Sequence, residues 1–141
     1  PDIVLSLHAC DTATDEAIAR GVVWKSQIIL AAPCCQHELR PQIEASLFDP
    51  VLRHGVLKQR TAEILTDACR AEILRIVGYR TDIVQFIDSK HTPKNLMIRA
   101  RKGLKSGDKK AVSRYMALRD FWQIEPSIER LLNDELAPYF D

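Results

Sequence analysis

The sequence predicts an α/β fold, a sheet of about four strands whose last member is antiparallel, with helices on its faces and a helical pair at the C-terminus. Two apolar runs, Asp2 to Leu7 and Gln27 to Ala32, are too short for buried helices, and each ends in a segment of cysteine and histidine. A helical stretch separates them and another follows. Near the end, two alternating runs flank a short polar loop, the pattern of a hairpin.

The first run stops at His8-Ala9-Cys10-Asp11-Thr12. A helix follows, with Asp11 or Thr12 as its cap, Asp15 and Glu16 favouring its first turn and Gly21 ending it. Strand, helix, strand in this order makes a right-handed crossover. The second strand is stopped by Pro33, and Cys34-Cys35-Gln36-His37 come after it. If the two strands are neighbours, His8, Cys10, Asp11, Cys34, Cys35 and His37 share the carboxyl edge of the sheet, where open α/β sheets place ligands.

Glu38 to Leu47 reads as a short helix with Pro41 in its first turn, and Phe48-Asp49-Pro50 as a turn. From Val56 to Val77 the pattern is helical. Leu57, Ile64, Leu65, Ala68, Ile73 and Leu74 form the inner stripe, Lys58, Arg60, Glu63, Asp67, Arg70 and Arg75 the outer face, and Gly78 closes the helix. Cys69 belongs to the core of that helix. Thr81 to Ile87 and Asn95 to Arg101 are the third and fourth strands, antiparallel about the loop Asp88 to Lys94. Asp108 caps a helix reaching Trp122, and Pro126 opens a last helix from Ser127 to Leu136. Phe121, Trp122, Ile124, Leu131 and Leu132 are expected to dock this pair.

With 141 residues, 46% of them hydrophobic, the chain can bury one core. A formal net charge of +1 gives no whole-chain argument for nucleic acid or for a membrane surface. From Arg99 to Arg114, however, seven basic residues face one acid, Asp108. Such a cluster can hold phosphate, and solvated helix faces also look like this. No apolar run approaches the ~20 residues of a membrane span and no secretory signal is present, so a cytoplasmic protein with reduced thiols is expected. A bond between the adjacent Cys34 and Cys35 would be strained. The chain starts at Pro1 directly on a strand with an unpaired apolar edge, which suggests a fragment.

Three chemistries suit the strand ends. Cys10, Cys34, Cys35 and His37 offer soft metal ligands, but structural zinc uses Cys-x-x-Cys turns rather than adjacent cysteines, so no metal site is assigned. A thiolate beside an imidazole and Asp11 would be nucleophilic, yet no cysteine-hydrolase pattern is present. Ligand binding at the sheet edge is the reading that uses the clustering.

The run from Asp2 through His8-Ala-Cys-Asp11 to Ile18, the strand ending Ala-Ala-Pro33-Cys-Cys-Gln36, and the hairpin with Thr92-Pro-Lys-Asn95 resemble a branch of the class I, Rossmann-like S-adenosylmethionine-dependent methyltransferases with a His-x-Cys segment after the fourth strand and a Cys-Cys pair after the fifth. The resemblance implies that the chain supplies the last four strands of that sheet: residues 1–103 the C-terminal half of a methyltransferase-like domain, and residues 104–141 a helical extension. It implies S-adenosylmethionine as cofactor, lined by His8, Ala9 and Cys10; His8, Asp11, Cys34 and Cys35 as catalytic residues; and Pro33, Gln36, His37, Lys90, His91, Lys94 and Asn95 around the acceptor. The family's Gly-rich loop and ribose-binding acid have no counterpart in this chain, so the upstream half of the domain is the expected partner. The basic stretch puts RNA first among acceptors. The alternatives are a non-enzymatic module with a degenerate methyltransferase fold, pairing or dimerising through the first strand, and a Cys/His metal-binding module.

Overall fold

A computed structural model describes residues 2–85 and 96–140, together with their side chains except those of Cys34 and Cys35. Its sheet has four strands: β1 (Ile3–Cys10), β2 (Ile28–Cys35), β3 (Tyr79–Gln85) and β4 (Leu96–Lys102), in the spatial order β1-β2-β4-β3. β1 and β2 are parallel, and β4 runs antiparallel to both β2 and β3. The returning arm of the hairpin is therefore inserted between β2 and β3. Between β1 and β2 lies helix α1 (Asp11–Val23), and a short helix α2 (Asp49–Leu52) precedes the 22-residue helix α3 (Gly55–Ile76), which leads into β3. Three helices, α4 (Lys109–Trp122), α5 (Ser127–Leu131) and α6 (Asn133–Leu136), complete the chain. Among the described residues, no helix is long and apolar enough to cross a membrane.

Strand register shows which side chains share a face. Val4, Ile29, Ala100 and Thr81 are cross-strand neighbours, as are Ser6, Ala31, Ile98 and Ile83. This is the covered face. Gly21 of α1 sits so close to it that a Cβ there would lie 2.8 Å from Ile29 Cδ1 and 3.4 Å from Val4 Cγ2. Gly21 thus serves the helix–sheet approach inside α1; it does not end the helix, which runs on to Val23. From α3, Ile73 and Leu74 join Tyr79, Ile98 and Ala100 in the same core. Tyr79 Oη donates to the carbonyl oxygen of Ser26 at 2.7 Å, tying β3 to the turn after α1.

Several local expectations are revised. Helix α1 has Cys10 at its N-cap position with no side-chain cap. Asp11 instead turns its carboxylate across to the chain after β2. Residues 38–45 form turns rather than a helix, with Leu39 and Ile43 buried in the core; a 3₁₀ turn (Ser46–Phe48) then runs into α2. The last helix breaks at Leu132 into α5 and α6, and of its expected seam Trp122, Ile124 and Leu132 are buried while Phe121 and Leu131 are exposed. Phe48 packs its ring on Trp122 at 5.0 Å, filling that seam from α2's side. The Asp108 cap is as expected, its carboxylate accepting from the Ala111 amide at 3.0 Å.

The largest revision concerns α3. Leu65, Ile73 and Leu74 of its inner stripe are buried as expected, but Ile64 is 66% exposed, and Asp67 and Arg70, expected on the solvent side, are 5% and 1% exposed. What holds them inside is an ionic network at the sheet's carboxyl edge.

Candidate functional site

β1 and β2 end side by side. Ala9 is the register partner of Pro33 and Cys10 of Cys35, so the segments His8–Asp11 and Pro33–His37 lie together at one edge. Between Leu7 and Ala9 the register slips, and the extra residue is His8, with φ of +56°. Asp11 also has a left-handed backbone, with φ of +46°. A non-glycine residue in that region is uncommon, and here two bracket Ala9-Cys10. His8, Cys10 and His37 are exposed; Ala9 and Asp11 are half-buried.

A polar frame fixes these segments. Asp11 Oδ1 accepts from the backbone amides of His37 and Glu38 at 3.3 and 3.2 Å, which joins the end of β1 to the chain leaving β2. The Asp11 carbonyl accepts from Arg70 Nη2 at 3.0 Å. Arg70 also donates from Nε to Asp15 Oδ1 at 2.6 Å and from Nη1 to Asp67 Oδ1 at 3.2 Å. Asp67 Oδ1 accepts in addition from Gln36 Nε2 at 2.6 Å, and the Gln36 carbonyl from Gln59 Nε2 at 2.7 Å. Ser127 Oγ donates to Asp15 Oδ2, which brings the start of α5 into the frame. One buried guanidinium thus holds both strand ends, one through a carbonyl and the other through Asp67 and Gln36. Burial pushes the Asp67 carboxyl above its ordinary value, with Arg70 and Gln36 pulling it back.

Beside this frame a cleft of roughly 410 Å³ opens between α3 and the ends of β2, β3 and β4. Pro33, Ile64, Ala68, Ile83 and Leu96 give it apolar walls, Gln36 and Asp67 lie at its base, and Arg60 and Glu63 also line it. The exposure of Ile64 is explained by its place on this wall. Gln36 is 3% exposed and its amide is engaged by Asp67, so it is part of the cleft wall rather than a projecting donor. Lys90, His91, Lys94 and Asn95 lie outside the described residues. Cys69 is wholly buried, and burial, then Glu129, pushes its thiol up to about 12, which makes it packing rather than a nucleophile. Among the described residues, no group of three His, Cys, Asp or Glu side chains is placed to hold a metal ion.

The sequence hides Asp67 and Arg70 because their i, i+3 spacing sits on the polar side of an amphipathic pattern. The signal it does carry is the pairing of Arg70 with an acid one turn away, which a solvated face would equally show.

The family model that matches this chain describes a methyltransferase domain and covers residues 1–42. Those residues are similar to a methyltransferase domain. The match takes in β1, α1, β2 and both strand-end segments. No curated protein and no solved structure matches the chain. The four-strand sheet with its antiparallel inserted strand is consistent with part of such a fold.

A methyltransferase domain generally implies S-adenosylmethionine. The rim presents His8 and Cys10, both exposed, on either side of the half-buried Ala9. Among the described residues, however, this rim shows no cation for the cofactor's carboxylate and no acid directed at a ribose.

Proposed function

We propose that this chain contributes the acceptor-side half of an S-adenosylmethionine-dependent methyltransferase. The observation that carries the reading is a coincidence: the stretch similar to a methyltransferase domain is the stretch whose two strand ends converge on one rim and are held there by Arg70. When bound, S-adenosylmethionine supplies an electrophilic methyl group. The residues of this chain line, orient and move a proton. His8, Ala9 and Cys10 line the donor side. Pro33, with Cys34 and Cys35, sets the acceptor's position, and the loop carrying Lys90, His91, Lys94 and Asn95 covers it, while Gln36 and His37 bound its rim. The proton released by the acceptor goes to the His8 imidazole or the Asp11 carboxylate, the latter oriented by two backbone amides.

The partner in this reading is the upstream half of the same domain, carrying a Gly-rich loop and a ribose-binding acid. S-adenosylhomocysteine titrated calorimetrically into this chain and into an upstream-extended form tests it. Binding by the extended form alone is expected; micromolar binding by the 141-residue chain alone would refute the division of labour. RNA is the acceptor class to test first. Lys109 and Lys110 are exposed at the start of α4, whereas Arg99 and Arg101 lie on the sheet face away from α1 and α3, so the basic stretch is divided between two sides of the molecule. Charge reversal of Lys109 and Lys110 should lower both RNA affinity and its salt slope, the slope by about one unit for each phosphate no longer neutralised. An unchanged slope removes RNA.

A second reading has its own observation. β1 is an edge strand whose outer edge pairs with no strand among the described residues, and it carries exposed Ile3, Leu5 and Leu7, which suits a docking module that kept the fold without the chemistry. Failure of both forms to bind S-adenosylhomocysteine would favour it.

A further inference from the structure

The cleft beside the Arg70 frame presents three kinds of group, and each asks something different of an occupant. Its walls include Ile64, Ile83 and Leu96, which are 66%, 44% and 40% exposed, so apolar surface is open to whatever enters. Covering it favours a flat, largely apolar body. A volume of roughly 410 Å³ falls within the ~300–1,000 Å³ of small-molecule sites, which suits a body of one or two rings.

At the base, two oxygens are left over. Asp67 Oδ1 takes hydrogens from both Arg70 Nη1 and Gln36 Nε2, which leaves Oδ2 without a partner among the described residues. Gln36 turns its Nε2 toward Asp67, so the end it has left is Oε1. Neither oxygen is sealed inside the protein, and both residues line the cleft while being 5% and 3% exposed. A wholly apolar guest would strip water from both oxygens and return no hydrogen, so the guest must bring donors. The third group is a cation. Arg60 is exposed one turn before Ile64 and lines the cleft with no hydrogen bond or ion pair among the described residues. Glu63, the remaining charge on the wall, already has an interaction of its own. An aliphatic amine would supply the donors without the ring or the anion, and a fatty acid the anion without the donors.

We propose that the cleft receives one nucleotide whose base carries an amino group where uracil and hypoxanthine carry a keto oxygen, that is adenine or cytosine, with the amino group directed at Asp67 and Gln36 and the phosphate toward Arg60. One exocyclic amine sends out two hydrogens, the number these oxygens can accept, whereas a keto oxygen would face them as a third acceptor. The apolar walls replace the stacking that a base loses on leaving its strand. On the acceptor-side reading, on which this assignment rests, the RNA acceptor is thus an unstacked amino base. The cleft spans the ends of β2, β4 and β3, away from the open edge of β1, so this chain forms it without the upstream half.

The test titrates the 141-residue chain with AMP, IMP, CMP and UMP, followed by heteronuclear NMR. AMP should bind at least about tenfold tighter than IMP, and CMP than UMP, with shifts centred on Ile64, Ala68 and Ile83. AMP should exceed adenosine about threefold, and Arg60→Gln should erase that margin. Ile64→Ser should weaken AMP and CMP about tenfold. Both substituted positions are exposed, and far-UV circular dichroism checks that the variants remain folded. Equal binding of amino and keto partners, no binding at millimolar concentration, affinities unmoved by Ile64→Ser, or shifts confined to the Lys109 and Lys110 end of α4 would overturn the proposal. Methyl transfer stands or falls separately: S-adenosylhomocysteine bound by the upstream-extended form without an amino preference sinks the cleft assignment alone. An amino preference with no S-adenosylhomocysteine binding by either form upholds the cleft and sinks methyl transfer.

Discussion

Replacing Arg70 with methionine tests the frame beneath the strand ends most directly. The guanidinium is 1% exposed and serves three acceptors: Asp15 Oδ1 at 2.6 Å, Asp67 Oδ1 at 3.2 Å and the Asp11 carbonyl at 3.0 Å. Methionine fills much of the volume but donates nothing. Two carboxylates, Asp15 and Asp67, would then stay in a buried site without their cation. Removing one partner of a buried pair costs about 3–5 kcal/mol, which is a large share of the ~5–15 kcal/mol stabilising a typical domain. At an m-value of about 2 kcal/mol/M, the urea midpoint should fall by roughly 2 M. Trp122, 5% exposed in the core, is the reporter for a fluorescence-monitored unfolding curve. The sign of the pH response adds a second check. Burial already holds the Asp67 carboxyl above its ordinary value, so the folded state binds more protons than the unfolded state in that interval. Stability from this group therefore rises as pH falls through the interval. Without Arg70 the interval extends upward, and Arg70→Met should regain part of its loss as pH falls toward the carboxylate range, relative to the parent chain. A loss below about 1 kcal/mol, with no recovery in acid, would mean that the carboxylates are solvated and that the frame is not what holds the site.

Three other expectations use different parts of the molecule. Asp11→Ala removes the acceptor of the His37 and Glu38 amides, so hydrogen exchange at those two should quicken at least about tenfold, while Asp11→Asn, which keeps an oxygen and tolerates a left-handed backbone, should leave them near their original rates. Gly107 has φ of +85°, and a Cβ there would lie 2.5 Å from Tyr139 Cε1, so Gly107→Ala should cost about 1–3 kcal/mol in urea unfolding, with the steric part relieved by Tyr139→Ala and the backbone part remaining. Tyr115 Oη donates to Glu129 Oε1 at 2.5 Å inside the core, and Arg119 holds the same carboxylate at 3.2 Å; Tyr115→Phe should therefore lose only about 1–2 kcal/mol, and a larger loss would show that Arg119 does not compensate.

What the sequence reveals and what it hides separate along physical lines. Ile28 to Ala32 reads as a strand because a continuous apolar run is a local property, and the parallel pairing of β1 with β2 follows from the helix between them. Asp108 reads as a cap for the same local reason. The insertion of β4 between β2 and β3 is a matter of non-local pairing, which alternation along Leu96–Lys102 cannot encode. Periodicity misplaces Asp67 and Arg70 because it ranks side chains by polarity, and a buried ion network inverts that ranking wherever each charge is matched. Leu57 and Ile64 depart the other way, at 43% and 66% exposed, while Leu65, Ile73 and Leu74 are buried as the pattern has them. Gly21 misleads for another reason: a glycine near a helix end usually marks a cap, but here the missing side chain admits Ile29.

The strained rim and the ion network belong to one design. His8 and Asp11 each hold a left-handed backbone that costs an L-residue about 1–2 kcal/mol, and glycine or asparagine at either position would relieve it. A bulge at His8 throws its side chain out of the β1 alternation, and the turn at Asp11 sends a carboxylate across to the chain after β2 instead of along its own helix. Such conformations persist only where neighbours over-determine them. Here Thr14 Oγ1 donates to the Ala9 carbonyl at 3.2 Å, Arg70 to the Asp11 carbonyl, and the amides of His37 and Glu38 to the Asp11 carboxylate. The buried charge of Arg70, costly as a stabilising device, is thus placed where it keeps Ala9-Cys10 and the chain after Cys35 in fixed register. A fold selected for stability alone would straighten β1 and fill the Arg70 site with leucine; this one retains both the strain and its support at the rim where the methyltransferase reading puts the chemistry.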